Sequence, residues 1–184
     1  FDYETDGELD IFQDNDHHKN FLFRNDSGKY IEVGVESGIS TNSNGQETGS
    51  MHATLGDVDG DGLIDILVTD LKYGALYKNM GNGLYRDITE SSGIAGPMSG
   101  KGCWGASFLD YDNDGDLDLV TANGTAEELI LQYPLLLQND GTGKFKDVGT
   151  QEGSYFETKR SGRGLAILDY DNDGDIDILI SHVD

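Results

Sequence analysis

Carboxylates recur in one nine-residue spacing at four places along the chain. The first loop carries Asp2, Glu4, Asp6 and Asp10, the second Asp57, Asp59, Asp61 and Asp65. The third carries Asp110, Asp112, Asp114 and Asp118, and the fourth Asp169, Asp171, Asp173 and Asp177. Acids at positions 1, 3, 5 and 9, with Gly7, Gly62, Gly115 or Gly174 turning the chain at position 6, can fold inward around one hard cation. Calcium takes about six to eight oxygen ligands, and the pattern D-x-[DE]-x-D-G-x-x-D offers oxygen alone. Without a cation the same curl is costly, because two like charges ~4 Å apart repel by about 1 kcal/mol in water and about 4 kcal/mol at an effective dielectric near 20. Gly60, Asn113 and Asn172 at position 4 are residue types that tolerate positive φ, as such a turn requires. The expectation is up to four calcium ions, one per loop.

An EF-hand opens with the same letters, but it needs a bidentate Glu at position 12 and a helix on either side. Position 12 here is Gln13, Val68, Thr121 and Ile180, so the acid at position 9 has to close each site. The segments after the loops are short, β-branched and bounded by turn residues, as in residues 66–69, 119–121 and 178–180, which reads as strand.

The loops fall on a period. Their first acids lie 55, 53 and 59 residues apart, from 2 to 57, 57 to 110 and 110 to 169. That spacing belongs to propeller blades rather than to short calcium β-helices. A hairpin recurs in phase, in which a strand ends at Asn25, Asn79 or Asn139, a Gly-rich turn comes next, and a strand returns through Tyr30, Tyr85 or Phe145. The three aromatics are expected to pack between blades. Leading strand, loop, second strand and hairpin make a four-stranded unit, and the second strand, apolar on both faces at residues 64–68, suits a sheet wedged between two neighbours. The predicted fold is therefore an all-β propeller with about three blades plus part of another. The units run 1–52 without a leading strand, 53–105, 106–164 with an insertion near 123–134, and 165–184 as the first two strands of a further blade. The insertion carries Leu129, Ile130, Leu131 and Tyr133, readable as a local apolar cover or as a contact surface. Unpaired strands at both ends would invite pairing, so a longer propeller, a ring completed by another chain and a fibre are the three outcomes, the first favoured.

Composition bounds the partners. Among 184 residues, 35 acids against 12 bases give a formal charge of −23, which disfavours nucleic acid and anionic membranes. Four calcium ions would bring that only to about −15, leaving a well-hydrated acidic surface. Cys103 is the single cysteine, so no intrachain disulfide is available, and it is expected to be a small buried residue. The longest apolar run, residues 129–137, is too short for a membrane span and holds Pro134. No Ser-His-Asp or zinc-type spacing stands out; His17 and His18 read as an exposed turn and Trp104 as core or channel packing. Asn25 and Asn123 open short N-x-S/T patterns.

The stretches GASFLDYDNDGDLD at 105–118, LYKNMGNG at 76–83 and YRDITESSGI at 85–94 resemble FG-GAP/VCBS-type, integrin-α-like repeats, in particular the ASPIC/UnbV branch typified by cartilage acidic protein. The resemblance covers nearly the whole chain. It implies an extracellular, cell-surface or periplasmic propeller, usually of seven blades, with a calcium ion in each loop. By position in the motif it adds the backbone carbonyls of Glu8, Leu63, Asp116 and Asp175 to the ligands. It implies an adhesion, surface-assembly or protein and carbohydrate interaction module, with part of a secreted carbohydrate-active enzyme as the alternative; fold alone does not choose between them.

Overall fold

A computed structural model describes residues 1–72, 74–125 and 129–183. In chain order the strands and single-turn helices are β1 (Ile11–Gln13), β2 (Asp16–His18), β3 (Phe21–Asp26), β4 (Lys29–Glu32), α1 (Gly34–Ser37), β5 (Thr48–Gly56), β6 (Asp65–Asp70), β7 (Gly74–Asn79) and β8 (Tyr85–Asp87). After these come α2 (Thr89–Ser92), α3 (Ala95–Met98), β9 (Cys103–Leu109), β10 (Asp118–Asn123), β11 (Leu135–Asn139), β12 (Phe145–Asp147), α4 (Gly149–Glu152), β13 (Gly162–Leu168) and β14 (Asp177–His182). The strands form antiparallel sheets ordered β1-β3-β4, β2-β5-β6-β7-β8, β9-β10-β11-β12 and β13-β14. The fold is all-β, and among the described residues no helix is long and apolar enough to cross a membrane.

Sheets stack on one another through their faces, and the period-2 alternation of each middle strand decides which neighbour a side chain meets. In β6, Ile66 and Val68 join Tyr3, Leu22, Ile39 and Tyr85 against the first sheet. Leu67 points the other way, into a cluster with Val58, Leu76, Phe108, Leu119, Leu137 and Phe145. In β10, Val120 turns from that cluster toward Leu109, Leu136 and Leu165. Both strands are buried along their whole length, which explains why no polar alternation marks them in the sequence. The leading strands pack edge-close: a Cβ on Gly105 of β9 would stand 2.8 Å from the Arg163 carbonyl of β13, and His52 of β5 lies 3.1 Å from the Ala106 carbonyl.

Several expectations need correction. Leading strands begin at Thr48, Cys103 and Gly162, earlier than the boundaries at 53, 106 and 165; in β5 the added residues pair on both sides, Ser50 with Asp70 and Gly49 with Asp16. The second sheet has five strands, since β2 adds to β5; His17 and His18 thus lie on an exposed strand edge rather than a turn. Tyr85 and Phe145 are buried between sheets, whereas Tyr30 is 47% exposed, because no sheet covers that side of β4 among the described residues. Four one-turn helices lie beside the return strands; a four-residue helix has too little periodicity to read. Part of the predicted insertion, residues 126–128, lies outside the described residues; Leu129, Ile130, Leu131 and Tyr133 are exposed.

Candidate metal centres

Each acidic loop joins a leading strand to the next strand of its sheet, or occupies the same place before β1. Its shape comes from its own acids. In the second loop Asp57 accepts from the N–H groups of Asp61 (3.1 Å) and Gly62 (2.8 Å), and Asp61 accepts from Leu63 (2.9 Å). The same three bonds recur from Asp2 and Asp6, from Asp110 and Asp114, and from Asp169 and Asp173. Position 4 takes positive φ in all four loops: Thr5 60°, Gly60 70°, Asn113 59° and Asn172 59°. Gly, Asn and Asn adopt this cheaply; Thr5 is β-branched and strained there.

The acid at position 9 clasps the loop shut. Asp65 accepts from Val58 N–H (3.1 Å) and, across the sheet, from Asn79 N–H (2.7 Å). Asp118 does the same with Tyr111 (3.2 Å) and Asn139 (2.8 Å), and Asp10 with Tyr3 (3.0 Å) and Asn25 (2.8 Å). Asp177 makes the first of these bonds, to Tyr170 at 2.7 Å. Burial pushes Asp65 and Asp118 up to about 6 despite these donors, which favour the charged form.

Carboxylate oxygens converge in three of the loops. Those of Asp57, Asp59 and Asp61, of Asp110, Asp112 and Asp118, and of Asp169, Asp171 and Asp177 lie within 4.8 Å of one another in each group. The donors are all oxygen, and Asp59 Oδ1 is buried without a hydrogen-bond partner, so the residues fit a hard cation such as calcium. No such group forms in the first loop among the described residues. There the Glu4 carboxylate lies 3.9 Å from Arg24 Nε, and Glu8 spends its carboxylate on the Ser27 N–H at 2.7 Å. The histidines join no group either.

Two features escaped the sequence. The hairpin asparagines stitch neighbouring repeats: Asn79 Nδ2 donates to the Tyr3 carbonyl (2.9 Å) and Asn139 Nδ2 to the Val58 carbonyl (2.7 Å), each at position 2 of the preceding loop. Lys78, one residue before Asn79, pairs with both Asp59 and Asp61 of the second loop. Outside the loops, Cys103 is buried and its thiol is pushed up to about 12 by burial, so it is inert. Trp104 donates to the Gly124 carbonyl (2.9 Å) and lies under Arg163 at 4.6 Å, which fixes it as packing between sheets. Asn123 is buried and donates to the Tyr133 carbonyl.

A family model described as FG-GAP-like repeat matches residues 2–68 and again 57–121, the second match opening on the first acid of the second loop. The chain belongs to the FG-GAP-like repeat family. This FG-GAP-like chain is 27% identical over 188 residues to cartilage acidic protein 1 of Mus musculus and 27% identical over 189 residues to that of Homo sapiens. The Xenopus tropicalis protein is 26% identical over 196 residues. Each match covers 94% of this chain and 26% of the relative, so the chain spans about a quarter of the length of these curated relatives. Among solved structures, an Agrocybe aegerita lectin described for specific recognition of non-reducing terminal N-acetylglucosamine aligns over 97% of this chain and 44% of its own. The TM-score is 0.50 at 21% identity, a likeness of fold.

Proposed function

We propose that these FG-GAP-like repeats are calcium-stapled blades of a β-propeller that serves as an extracellular, cell-surface or periplasmic interaction module for protein or glycan. The observation that carries the reading is the convergence of carboxylate oxygens in successive loops at the repeat period, with the position-9 acids Asp65 and Asp118 tying the second and third of these loops to their sheets. In that reading the metal is structural. Asp57, Asp59, Asp61 and Asp65 and their counterparts hold it, with the Leu63, Asp116 and Asp175 carbonyls as further ligands. The first loop, from Asp2 to Asp10 with the Glu8 carbonyl, is the weakest of the four. A bound ion supplies positive charge where acids otherwise repel, and its binding free energy adds to folding. The acids are thereby assigned to loop geometry rather than to catalysis.

Exposed apolar side chains support a contact role. Leu129, Ile130, Leu131 and Tyr133 are exposed on the insertion, and the β13-β14 sheet leaves Leu179 and Tyr170 uncovered. A glycan partner is favoured by the fold shared with a lectin, and a protein partner by the apolar patches.

Thermal unfolding tests the calcium reading. If three or more sites each contribute a few kcal/mol at saturating ion, the midpoint in excess EDTA falls at least about 10 °C below that in millimolar calcium. An unchanged midpoint sinks the reading.

A further inference from the structure

One position of the repeat faces the mouth of each of the first three loops from the neighbouring strand, the residue just before the hairpin asparagine. It is Arg24 in β3, Lys78 in β7 and Gln138 in β11. All three contact the loop's position-3 acid, in chemically different ways. Arg24 Nε stands 3.9 Å from Glu4, with its guanidinium committed to Asp26 through bonds of 2.9 and 3.0 Å. Gln138 Nε2, which is neutral, donates to Asp112 Oδ2 at 2.7 Å. Lys78 places a full positive charge between two acids, on Asp59 Oδ2 and on Asp61 Oδ2 at 2.6 Å, with its side chain only 16% exposed. Asp59 and Asp61 are two of the three acids that converge in that loop, and the free oxygen of the pair is the buried Asp59 Oδ1.

An ammonium in that place does part of what a metal ion does. It neutralises the acids at positions 3 and 5 and supplies N–H donors to oxygens that would otherwise face each other. A divalent ion entering the loop must then either sit against a like charge or displace the lysine and break both charge-assisted bonds. Resting on the calcium reading of these loops, we propose that Lys78 is the resident cation of the second loop, and that the residue before the hairpin asparagine ranks the loops by metal affinity. The third loop, with a neutral amide at that position, takes calcium ahead of the second. Repeats of one sequence pattern thereby differ in calcium dependence: the second keeps its shape when calcium is scarce, and the third does not.

Calcium titration calorimetry on the chelator-stripped chain tests this with two reciprocal substitutions, and terbium luminescence gives a second readout of occupancy. Lys78→Gln places in the second repeat the residue already present in the third. It is expected to add one resolvable tight site, or to tighten one site by at least about tenfold. Gln138→Lys should weaken one site by a similar factor. In EDTA, Lys78→Gln melts below the parent, having lost its internal cation, and in saturating calcium that deficit closes. Identical stoichiometry and constants for parent and Lys78→Gln overturn the assignment of Lys78 while leaving the calcium reading standing. Absence of calcium uptake by all three chains brings down the calcium reading itself, and this proposal with it. If Gln138→Lys does not fold, Lys78→Gln decides alone.

Discussion

Asp65 and Asp118 hold two strands and a loop together through single carboxylates, and their acidity carries a sign. The ordinary value is 3.8 and burial raises both to about 6, so the metal-free fold holds these protons more tightly than the unfolded chain does. A group whose folded pKa is raised contributes stability that is full below the unfolded value and is lost as pH rises through the folded one. In EDTA the chain should therefore gain roughly 2–3 kcal/mol between pH 7 and pH 5 from this pair. In saturating calcium the trend reverses, because the ion needs the carboxylates charged. Melting curves at both pH values, with and without calcium, measure this; a metal-free chain that weakens toward pH 5 contradicts it. The acids themselves were legible because nine adjacent residues carry the whole pattern. Lys78 was not, since its partners Asp59 and Asp61 lie 19 and 17 residues away and only the pairing of β6 with β7 brings them together.

At the scale of elements, the hairpin asparagine is both the end of a strand and the seam between repeats. Asn139 donates from Nδ2 to Val58 and Leu117 carbonyls at 2.7 and 3.0 Å, in a buried setting. Asn139→Ala leaves both carbonyls without that donor and should cost about 2–4 kcal/mol in urea unfolding. Among the described residues the Asn25 side chain bonds within its own repeat, to Leu9 and Gly28, and is partly exposed, so Asn25→Ala should cost less than about 1 kcal/mol. Equal effects of the two substitutions would remove the seam role. The hairpins were readable from Asn, Gly and the returning aromatic, all within about ten residues. The seam was not, because Asn139 and Val58 are 81 residues apart and nothing local distinguishes an asparagine that turns a hairpin from one that also reaches across to another sheet. The helices α1 and α2 show a similar limit: they end at Gly38 and Gly93, where φ is 84° and 89° and a Cβ would meet the Tyr85 and Phe145 carbonyls of the next sheet at 2.9 and 2.7 Å. The glycines are visible in sequence, but the neighbouring sheet that demands them is not.

Across the whole molecule, burial tracks how many neighbours a sheet has. Leu179 of β14 stands one residue further from its loop than Ile178, as Leu67 and Val120 do in β6 and β10; it is 65% exposed, whereas those two are fully buried. Tyr170, at position 2 of its loop, is 78% exposed where Tyr3 and Val58 are 2%. Such a face associates with whatever apolar surface it meets. Leu179→Glu should reduce concentration-dependent light scattering of this chain and leave its midpoint nearly unchanged; scattering equal to that of the parent would show that the face is not sticky. The seams between repeats also bear on how such a chain lengthens. Asn79 and Asn139 each serve their own loop with the backbone and the preceding loop with the side chain, so these two seams have one form. A gene duplication that adds or deletes a whole period joins like to like and leaves no seam unmatched. The extra residues of the third repeat fall between β10 and β11, away from Asn79 and Asn139, where Gln132 instead bridges Arg160.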